Sequence, residues 1–235
     1  MFQRINQEKP EILKKITPVF GDITIVDLGL NEEQLNYVIK ETHIAFHMAA
    51  TLRLEATLKP SIIMNLLGTK HMIDICKRMP KVIAVLHLST AFCICDETVS
   101  LEKVYDWHHD PKDLLKCAEW MDERTMELMQ PQLLGPHPNT YTYTKRLAEI
   151  YVQGEYGNLP ICIVRPSIVT PALHEPLPGW VDNLNGPIGI MVGAAKGVIR
   201  SLLCNGELAG EVIPVDFAIN GLIAIAKSVG TMKEK

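Results

Sequence analysis

KVIAVLHLSTAF, residues 81–92, is the stretch that decides the fold. It is apolar and rich in β-branched residues up to Ser89, with His87 as the one polar side chain after the first residue. A run of this composition predicts a strand buried on both faces, which is typical of a parallel sheet covered by helices. Ser89 and Thr90 follow the apolar run and are therefore expected at the carboxyl end of the strand, the edge where open α/β sheets bind their ligands.

Outward from this strand, the chain alternates short β-branched runs with longer helical stretches, which predicts an α/β fold with a doubly wound parallel sheet. Further strands are predicted at 16–24, 43–50, 161–169 and 211–216, and helices at 31–41, 60–79, 112–129, 141–157, 188–204 and 217–229. Asn31 is the expected N-cap of the first of these helices. A segment rich in Pro and Gly, 170–187, follows the strand predicted at 161–169.

The composition is that of one globular domain. The 235 residues suffice for a single α/β domain with a buried core, and we predict one domain over residues 1–235. A net charge of -4 with scattered Lys and Arg gives no indication of a nucleic-acid partner. The six cysteines form no C-x-x-C pair, which predicts free thiols in a reducing, intracellular compartment. The polar N-terminus argues against a signal peptide, and the most apolar stretch, 188–204, contains two basic residues, so no transmembrane helix is predicted.

Several polar residues are open to a functional or a structural interpretation. His108 and His109, with Asp106 and Asp110, are candidates for a metal site. No second spaced cluster accompanies them, so a solvated loop is the prediction and no metal site is expected. His47 follows a predicted strand and is interpreted as a histidine whose ring is satisfied by the backbone rather than as a cofactor contact.

Three features nearer the end of the chain also allow more than one interpretation. Arg165 is interpreted as a structural ion-pair donor rather than a phosphate contact, and Asp216 as the N-cap of the last helix. The helix predicted at 188–204 has three interpretations: core packing, a wall of a tunnel for an apolar ligand, or contact with a membrane surface.

A glycine-rich phosphate loop is missing from the sequence. Sheets that bind dinucleotides normally begin with a strand and a G-x-x-G-x-x-G turn, which lets the backbone approach a pyrophosphate. Gly189, Gly193 and Gly197 follow no predicted strand, and their spacing is interpreted as close packing of a helix. Two explanations remain open at this point: the fold binds no dinucleotide, or its first β-α-β unit is absent from the chain.

NTYTYTKRLAE, residues 139–149, contains the strongest candidates for catalysis. Residues four apart share a helix face, so Tyr141 is expected beside Lys145. Tyr143 instead shares the apolar stripe of Leu147 and Tyr151 and is predicted to be a core residue. A nearby ammonium group favours the phenolate and lowers the pKa of tyrosine from about 10 toward the range useful for proton transfer. Thr90 or Ser89, from the strand end, would supply a hydroxyl for a substrate carbonyl.

The sequence resembles an extended short-chain dehydrogenase/reductase and, more narrowly, the reductase domain of fatty acyl-CoA reductases. The resemblance covers nearly the whole chain. Its most specific parts are PNTYTYTKRLAE (138–149) and the long insertion that separates it from HLSTAF (87–92). Further matches are GDIT with LGL (21–30), FHMAAT (46–51), NLLGT (65–69), VRPSIV (164–169), GPIGIMVGAAKGVIRSLL (186–203) and VIPVDFAINGLI (212–223).

The resemblance implies a role for each matching residue. Tyr141 would be the general acid, Lys145 would bind the nicotinamide ribose and lower the tyrosine pKa, and Thr90 would polarise the carbonyl. Asn65 would belong to the helix behind the site. The implied cofactor contacts are Asp22 and Ile23 beside the adenine, Ala49 and Ala50 under the cofactor, Tyr141 and Lys145 at the ribose, and Pro166 and Ile168 near the nicotinamide.

The implied fold is a Rossmann-like sheet, and the implied activity is NADPH-dependent reduction of long-chain fatty acyl-CoA to a fatty alcohol through an aldehyde. Residues 170–235 would include elements that bind the substrate. Aligned to the family, the first β-α-β unit with its glycine-rich loop is absent, so we expect a domain that is incomplete at its N-terminus. Two alternatives remain: another extended reductase or epimerase, or a catalytically silent fragment that cannot bind the cofactor. The family also implies the cytosolic face of the endoplasmic reticulum or peroxisome, with possible peripheral membrane association and a possible homodimer.

Overall fold

The computed structural model describes residues 2–232, so the first residue and the last three of the predicted domain lie outside the described residues. The strands are β1 (Ile44–His47), β2 (Ala84–Leu88), β3 (Ile161–Val164), β4 (Ile168–Thr170) and β5 (Val212–Pro214). The helices are α1 (Gln3–Glu8), α2 (Glu32–Glu41), α3 (Leu58–Ser61), α4 (Gly68–Cys76), α5 (Pro111–Trp120), α6 (Glu123–Leu134), α7 (Thr140–Gln153), α8 (Pro187–Ala195) and α9 (Val215–Thr231). A π-helical turn, Ile62–Leu67, joins α3 to α4, and short 3₁₀ turns cover Pro10–Lys15, Val26–Gly29 and Ala91–Cys93.

Parallel strands covered by helices on both faces confirm the predicted α/β architecture. Strands β1, β2 and β3 form a parallel sheet with β2 in the centre, and β4 and β5 form a second, two-stranded parallel sheet. Helix α9 covers one face of β2 and β3, where Leu222 and Ala226 contact the buried Ala84 and Leu86. Helices α4 and α7 cover the opposite face around Val85, and α5 packs on the outside against α7 and the π-helical turn. Both faces of β2 are therefore buried, as its unbroken apolar sequence predicts.

The strand predicted at 16–24 is wrong. Residues 16–22 belong to no strand, and the chain then closes on itself through Asp22, whose N–H donates to the carbonyl of Leu28 over 2.8 Å. An extended segment becomes a strand only when a neighbouring strand accepts its backbone hydrogen bonds. Within residues 2–232 no strand pairs with this segment, and Phe20 remains 85% exposed.

Two other predicted elements are divided in the structure. The strand expected at 161–169 becomes β3 and β4, which lie in different sheets on either side of Pro166, a residue that has no N–H to donate to a ladder. The helix expected at 112–129 becomes α5 and α6, because Met121 is extended and Asp122 caps a new helix by accepting from the N–H of Thr125.

The predicted helix at 188–204 is much shorter than expected. Helix α8 ends at Ala195, and Gly197 follows with a φ of +71°, the left-handed conformation that commonly terminates helices. Residues 198–211 then continue without regular structure. Between residues 2 and 232, no helix is long and apolar enough to cross a membrane.

Candidate active site

A cavity of about 700 Å³ opens at the carboxyl end of β2, the edge predicted to bind ligands. Thr90, Tyr141 and Lys145 all line it, although they come from different parts of the chain. Of the predicted cofactor contacts, Ala50, Pro166 and Ile168 line the same cavity. The strand ends and the first turns of α7 thus bring the predicted reactive groups to one space.

Tyr141 lies in the first turn of α7. This helix begins after Asn139, whose side-chain oxygen accepts a hydrogen bond from the N–H of Thr142 over 2.9 Å. Burial raises the pKa of Tyr141, and a hydrogen bond with the Thr90 hydroxyl partly opposes this. The pKa of the phenol is therefore raised rather than lowered in this structure. The lowering of that pKa by Lys145 stays a prediction.

Lys145 is almost completely buried. Its Nζ donates a hydrogen bond to the carbonyl of Leu88, the last residue of β2, over 2.6 Å. Burial lowers the pKa of Lys145 to about 8, although the nearby Cys93 and Glu149 partly oppose this. The strand end therefore fixes the ammonium group at the cavity wall.

The lowered pKa predicts a specific pH dependence of stability. Between about pH 8 and pH 10.4 the unfolded chain binds more protons at this lysine than the folded chain does, so this group raises stability as the pH rises. We expect the free energy of unfolding of wild type, relative to Lys145→Met, to rise between pH 8 and pH 10. Urea denaturation of both proteins across this pH range measures the two free energies of unfolding. Their difference cancels the contributions of the other titrating groups, which both proteins share. A constant difference would contradict the buried ammonium group.

Two histidines lie on the sheet behind Lys145. His47 and His87 are opposite each other on β1 and β2, with ring centroids 5.2 Å apart. Burial, and then the charge of Lys145, lower the pKa of His47 to about 4 and that of His87 well below its usual value. His47 Nε2 lies 3.0 Å from the hydroxyl of Thr69, so the predicted backbone partner is wrong and a side chain takes its place. Both rings are neutral at pH 7.

Tyr143 is a core residue, as its helical stripe predicts. Its ring is fully buried, and its hydroxyl is hydrogen-bonded to Nδ1 of His109 over 2.9 Å. His109 comes from the insertion between β2 and α7, so the tyrosine secures that insertion to the helix. The predicted solvated loop at His108 and His109 is therefore partly packed, and no group of three metal-ligating side chains occurs among the described residues.

Glu149 was not singled out from the sequence, yet it forms a buried ion pair one turn beyond Lys145. Its carboxylate accepts from Nε and NH2 of Arg165 over 2.8 and 2.6 Å, and from the thiol of Cys93 over 3.3 Å. Arg165 also donates to the carbonyls of Leu101 and Lys103. The predicted structural role of Arg165 is confirmed, because the pair joins α7, β3 and the insertion. Only its position, one helical turn after Lys145, could have indicated it.

Asn65 lies in the π-helical turn behind the site. Its side-chain oxygen accepts from the N–H of Thr51 over 2.8 Å, and its amide donates to the hydroxyl of Thr144 over 3.0 Å. It therefore connects the loop after β1 to the residue preceding Lys145. Such π turns are frequent at functional sites.

Three predicted cofactor residues lie outside the cavity. Asp22 is exposed, and its carboxylate accepts from the N–H and the hydroxyl of Thr24. The carbonyl of Ile23 lies 2.9 Å from Nδ1 of His71, and Ala49 is not among the residues that line the cavity. The site thus assembles the groups predicted for the reacting end of the cofactor. The roles of Asp22, Ile23 and Ala49 stay predictions.

The chain matches one protein family over most of its length. The profile of the family described as "Male sterility protein" matches residues 1–222. Fatty acyl-CoA reductase 2 of Mus musculus is 40% identical over 225 residues, which are 96% of this chain and 44% of that protein. The chain belongs to the fatty acyl-CoA reductase family. Fatty acyl-CoA reductase 1 of Homo sapiens is 38% identical over 96% of this chain and 44% of its own length, so this family member spans less than half of these relatives.

Solved structures support the fold of this family member. The terminal R domain of the myxalamid biosynthetic pathway has a TM-score of 0.64 at 18% identity and matches 93% of this chain and 48% of its own. A UDP-glucuronic acid 4-epimerase from Bacillus cereus, in complex with NAD, has a TM-score of 0.55 at 15% identity over 82% of this chain and 52% of its own. The Rossmann-like fold is therefore shown.

Proposed function

We propose that this chain is the catalytic part of an enzyme that reduces long-chain fatty acyl-CoA to fatty alcohol with NADPH, through an aldehyde. The observation that carries the proposal is the meeting of Thr90, Tyr141 and Lys145 at one cavity, in a chain 40% identical to a fatty acyl-CoA reductase. The proposal treats residues 1–235 as a single domain, in which 170–235 contribute to substrate binding.

The residues at the cavity fit the nicotinamide end of the cofactor. Ala50 leaves room for close approach to the backbone, and Pro166 and Ile168 supply an apolar wall. Lys145 would hold the ribose, because its buried ammonium group is a strong hydrogen-bond donor at the cavity surface. When bound, the nicotinamide supplies the hydride for each reduction step.

The three polar residues then have distinct tasks. Thr90 donates a hydrogen bond to the substrate carbonyl oxygen and stabilises the negative charge that develops there. Tyr141 gives its phenolic proton to the same oxygen. Lys145 stays mostly protonated at pH 7, since its pKa is about 8, and its positive charge favours the phenolate left on Tyr141. In the first round the reduced carbon carries both the new hydroxyl and the CoA sulfur. The hydroxyl proton returns to Tyr141 as the C–S bond breaks, CoA leaves as the thiol with a proton from solvent, and an aldehyde forms. In the second round the aldehyde oxygen takes the Tyr141 proton and becomes the hydroxyl of the alcohol.

The proposal includes a location and an assembly. A substrate with a long alkyl chain partitions into membranes, so we propose that the protein acts at the cytosolic face of the endoplasmic reticulum or peroxisome by peripheral association. Exposed apolar side chains at Leu202 and Leu203, close to the basic Arg200, support a contact with lipid. A homodimer is the proposed assembly.

Product analysis tests this function directly. Purified protein is incubated with palmitoyl-CoA and either NADPH or NADH, and hexadecanal and hexadecanol are identified by mass spectrometry. We expect hexadecanol with NADPH and much less with NADH. Titration with NADPH in the absence of substrate distinguishes a silent fragment, which would not bind. NADPH binding without any product from acyl-CoA would overturn the proposed reaction.

A further inference from the structure

A buried carboxylate on α9 holds one loop through three hydrogen bonds. Asp216 accepts from the backbone N–H groups of Leu173, His174 and Glu175 over 3.0, 2.9 and 3.2 Å. Burial alone would raise the pKa of this carboxyl, but the three donors outweigh it and hold the pKa well below its usual range. The predicted N-cap role is wrong, since Pro214 is the cap residue and Asp216 lies inside the first turn of α9.

The loop that Asp216 holds forms part of the cavity wall. We call residues 171–181 the wall loop; Pro171, Trp180 and Val181 from this loop line the cavity. Ala172 is buried and closes the loop, because its carbonyl accepts from the N–H of Gly179 over 2.7 Å and its N–H donates to the carbonyl of Trp180 over 3.2 Å. The three amides bound by Asp216 follow directly after Ala172. The carboxylate therefore fixes the base of the loop that presents Trp180.

The wall loop is separate from the reactive groups. Thr90 follows β2, and Tyr141 and Lys145 belong to α7, whereas Asp216 contacts neither element by a hydrogen bond. A displaced wall loop would thus remove apolar surface from the cavity and leave the polar groups in place. An alkyl chain gains affinity with each methylene that it buries, so long chains depend on such a wall more than short chains do.

We propose that Asp216 is a positioning residue that sets the preference for long acyl chains by fixing the wall loop. This inference rests on the proposed function, because it assigns the apolar part of the cavity to the substrate's alkyl chain. Asparagine at this position keeps one acceptor oxygen but turns an NH₂ group toward the N–H donors, and alanine removes every acceptor. The loop is therefore expected to loosen in the order wild type, Asp216→Asn, Asp216→Ala.

The experiment compares KM and kcat for palmitoyl-CoA and octanoyl-CoA in wild type and Asp216→Asn. We expect KM for palmitoyl-CoA to rise about tenfold, the loss of roughly two buried methylenes, with KM for octanoyl-CoA and both kcat values nearly unchanged. The matched control is Asp122→Asn, which removes a carboxylate that accepts the Thr125 N–H over 2.9 Å at α6, away from the cavity. Hydrogen exchange should accelerate at the amides of 173–175 in Asp216→Asn and stay slow in the control.

Trp180→Ala is the second variant, for the case in which Asp216 variants do not fold. This variant keeps the hydrogen bonds from Leu173, His174 and Glu175 to Asp216 and removes the largest side chain of the wall loop. We therefore expect KM to rise for palmitoyl-CoA and to stay nearly unchanged for octanoyl-CoA. Equal changes for both substrates, or the same change in Asp122→Asn, would overturn the inference. Binding of fluorescent fatty acids of two lengths provides a readout without turnover. If the variants weaken binding of the longer probe alone, the role of the wall loop is supported. This result would hold even if no acyl-CoA were reduced, an outcome that would contradict only the proposed function.

Discussion

Tyr141→Phe is expected to lower kcat for acyl-CoA reduction by about 10²- to 10⁴-fold, the usual contribution of a positioned general acid. The substitution removes one oxygen atom from a ring that is already half-buried at the cavity wall, so the packing of α7 is preserved. Without the phenol, water or Thr90 must protonate the carbonyl oxygen, and neither is as acidic. Binding of NADPH, followed by fluorescence, should weaken by no more than about fivefold, the value of the one neutral hydrogen bond that the phenol would give the ribose, because Lys145 is untouched.

Tyr143→Phe is the matched control. It removes the same atom two residues along the helix, from a fully buried ring whose hydroxyl contacts His109. The expected cost is about 1 kcal/mol in the free energy of unfolding, the value of one neutral hydrogen bond, with kcat nearly unchanged. If Tyr141→Phe retained wild-type kcat, or if Tyr143→Phe lost as much activity, the assignment of the general acid would be wrong.

The distinction between these tyrosines could be predicted because it depends on local geometry alone. Helical spacing puts Tyr143 in the buried stripe and Tyr141 beside Lys145, and the structure confirms the buried Tyr143. The burial of β2 could also be predicted, because its unbroken apolar run requires helices on both faces of the strand. The partner of Lys145 could not be predicted, since the carbonyl of Leu88 is a backbone group that any residue provides.

Other features depended on contacts between distant parts of the chain. The segment at 16–24 has the sequence of a strand, but pairing decides the outcome and the described chain provides no partner. Asp216 looked like a cap because helix starts are a local pattern, whereas its donors lie more than forty residues earlier. Glu149 and Arg165 are separated by the end of α7, a turn region and all of β3, and no local periodicity connects them.

Arg165→Met is expected to destabilise the protein by about 3–5 kcal/mol, the usual effect of removing one partner of a buried ion pair. The side chain of Glu149 is 1% exposed and that of Arg165 is 14% exposed. Loss of Arg165 therefore leaves the buried Glu149 carboxylate without its ion-pair partner, and the Cys93 thiol is the hydrogen-bond donor that remains to it. It also frees the insertion, because the carbonyls of Leu101 and Lys103 lose their donor.

Glu149→Gln is expected to lower the free energy of unfolding less than Arg165→Met does, and this difference is the sharper test. In Glu149→Gln the arginine keeps both carbonyl partners and some contact with water, and the glutamine brings no charge into the interior. The double variant Glu149→Gln/Arg165→Met should lose less stability than the two single variants added together, since it leaves no unpaired charge in the interior.

An exposed ion pair supplies the control for both variants. Lys116 Nζ and Asp113 Oδ1 lie 2.9 Å apart with side chains 71% and 66% exposed, so Lys116→Met should leave the free energy of unfolding nearly unchanged. Urea denaturation at pH 7 compares wild type with the four variants. Glu149 lies one turn beyond Lys145 on α7, so a destabilised Arg165→Met protein should also lose activity on warming well before wild type does. Similar losses of stability in Lys116→Met and Arg165→Met would mean that water reaches the Glu149–Arg165 pair. The rigid α7 that the catalytic arrangement needs would then have to be held by its apolar contacts alone.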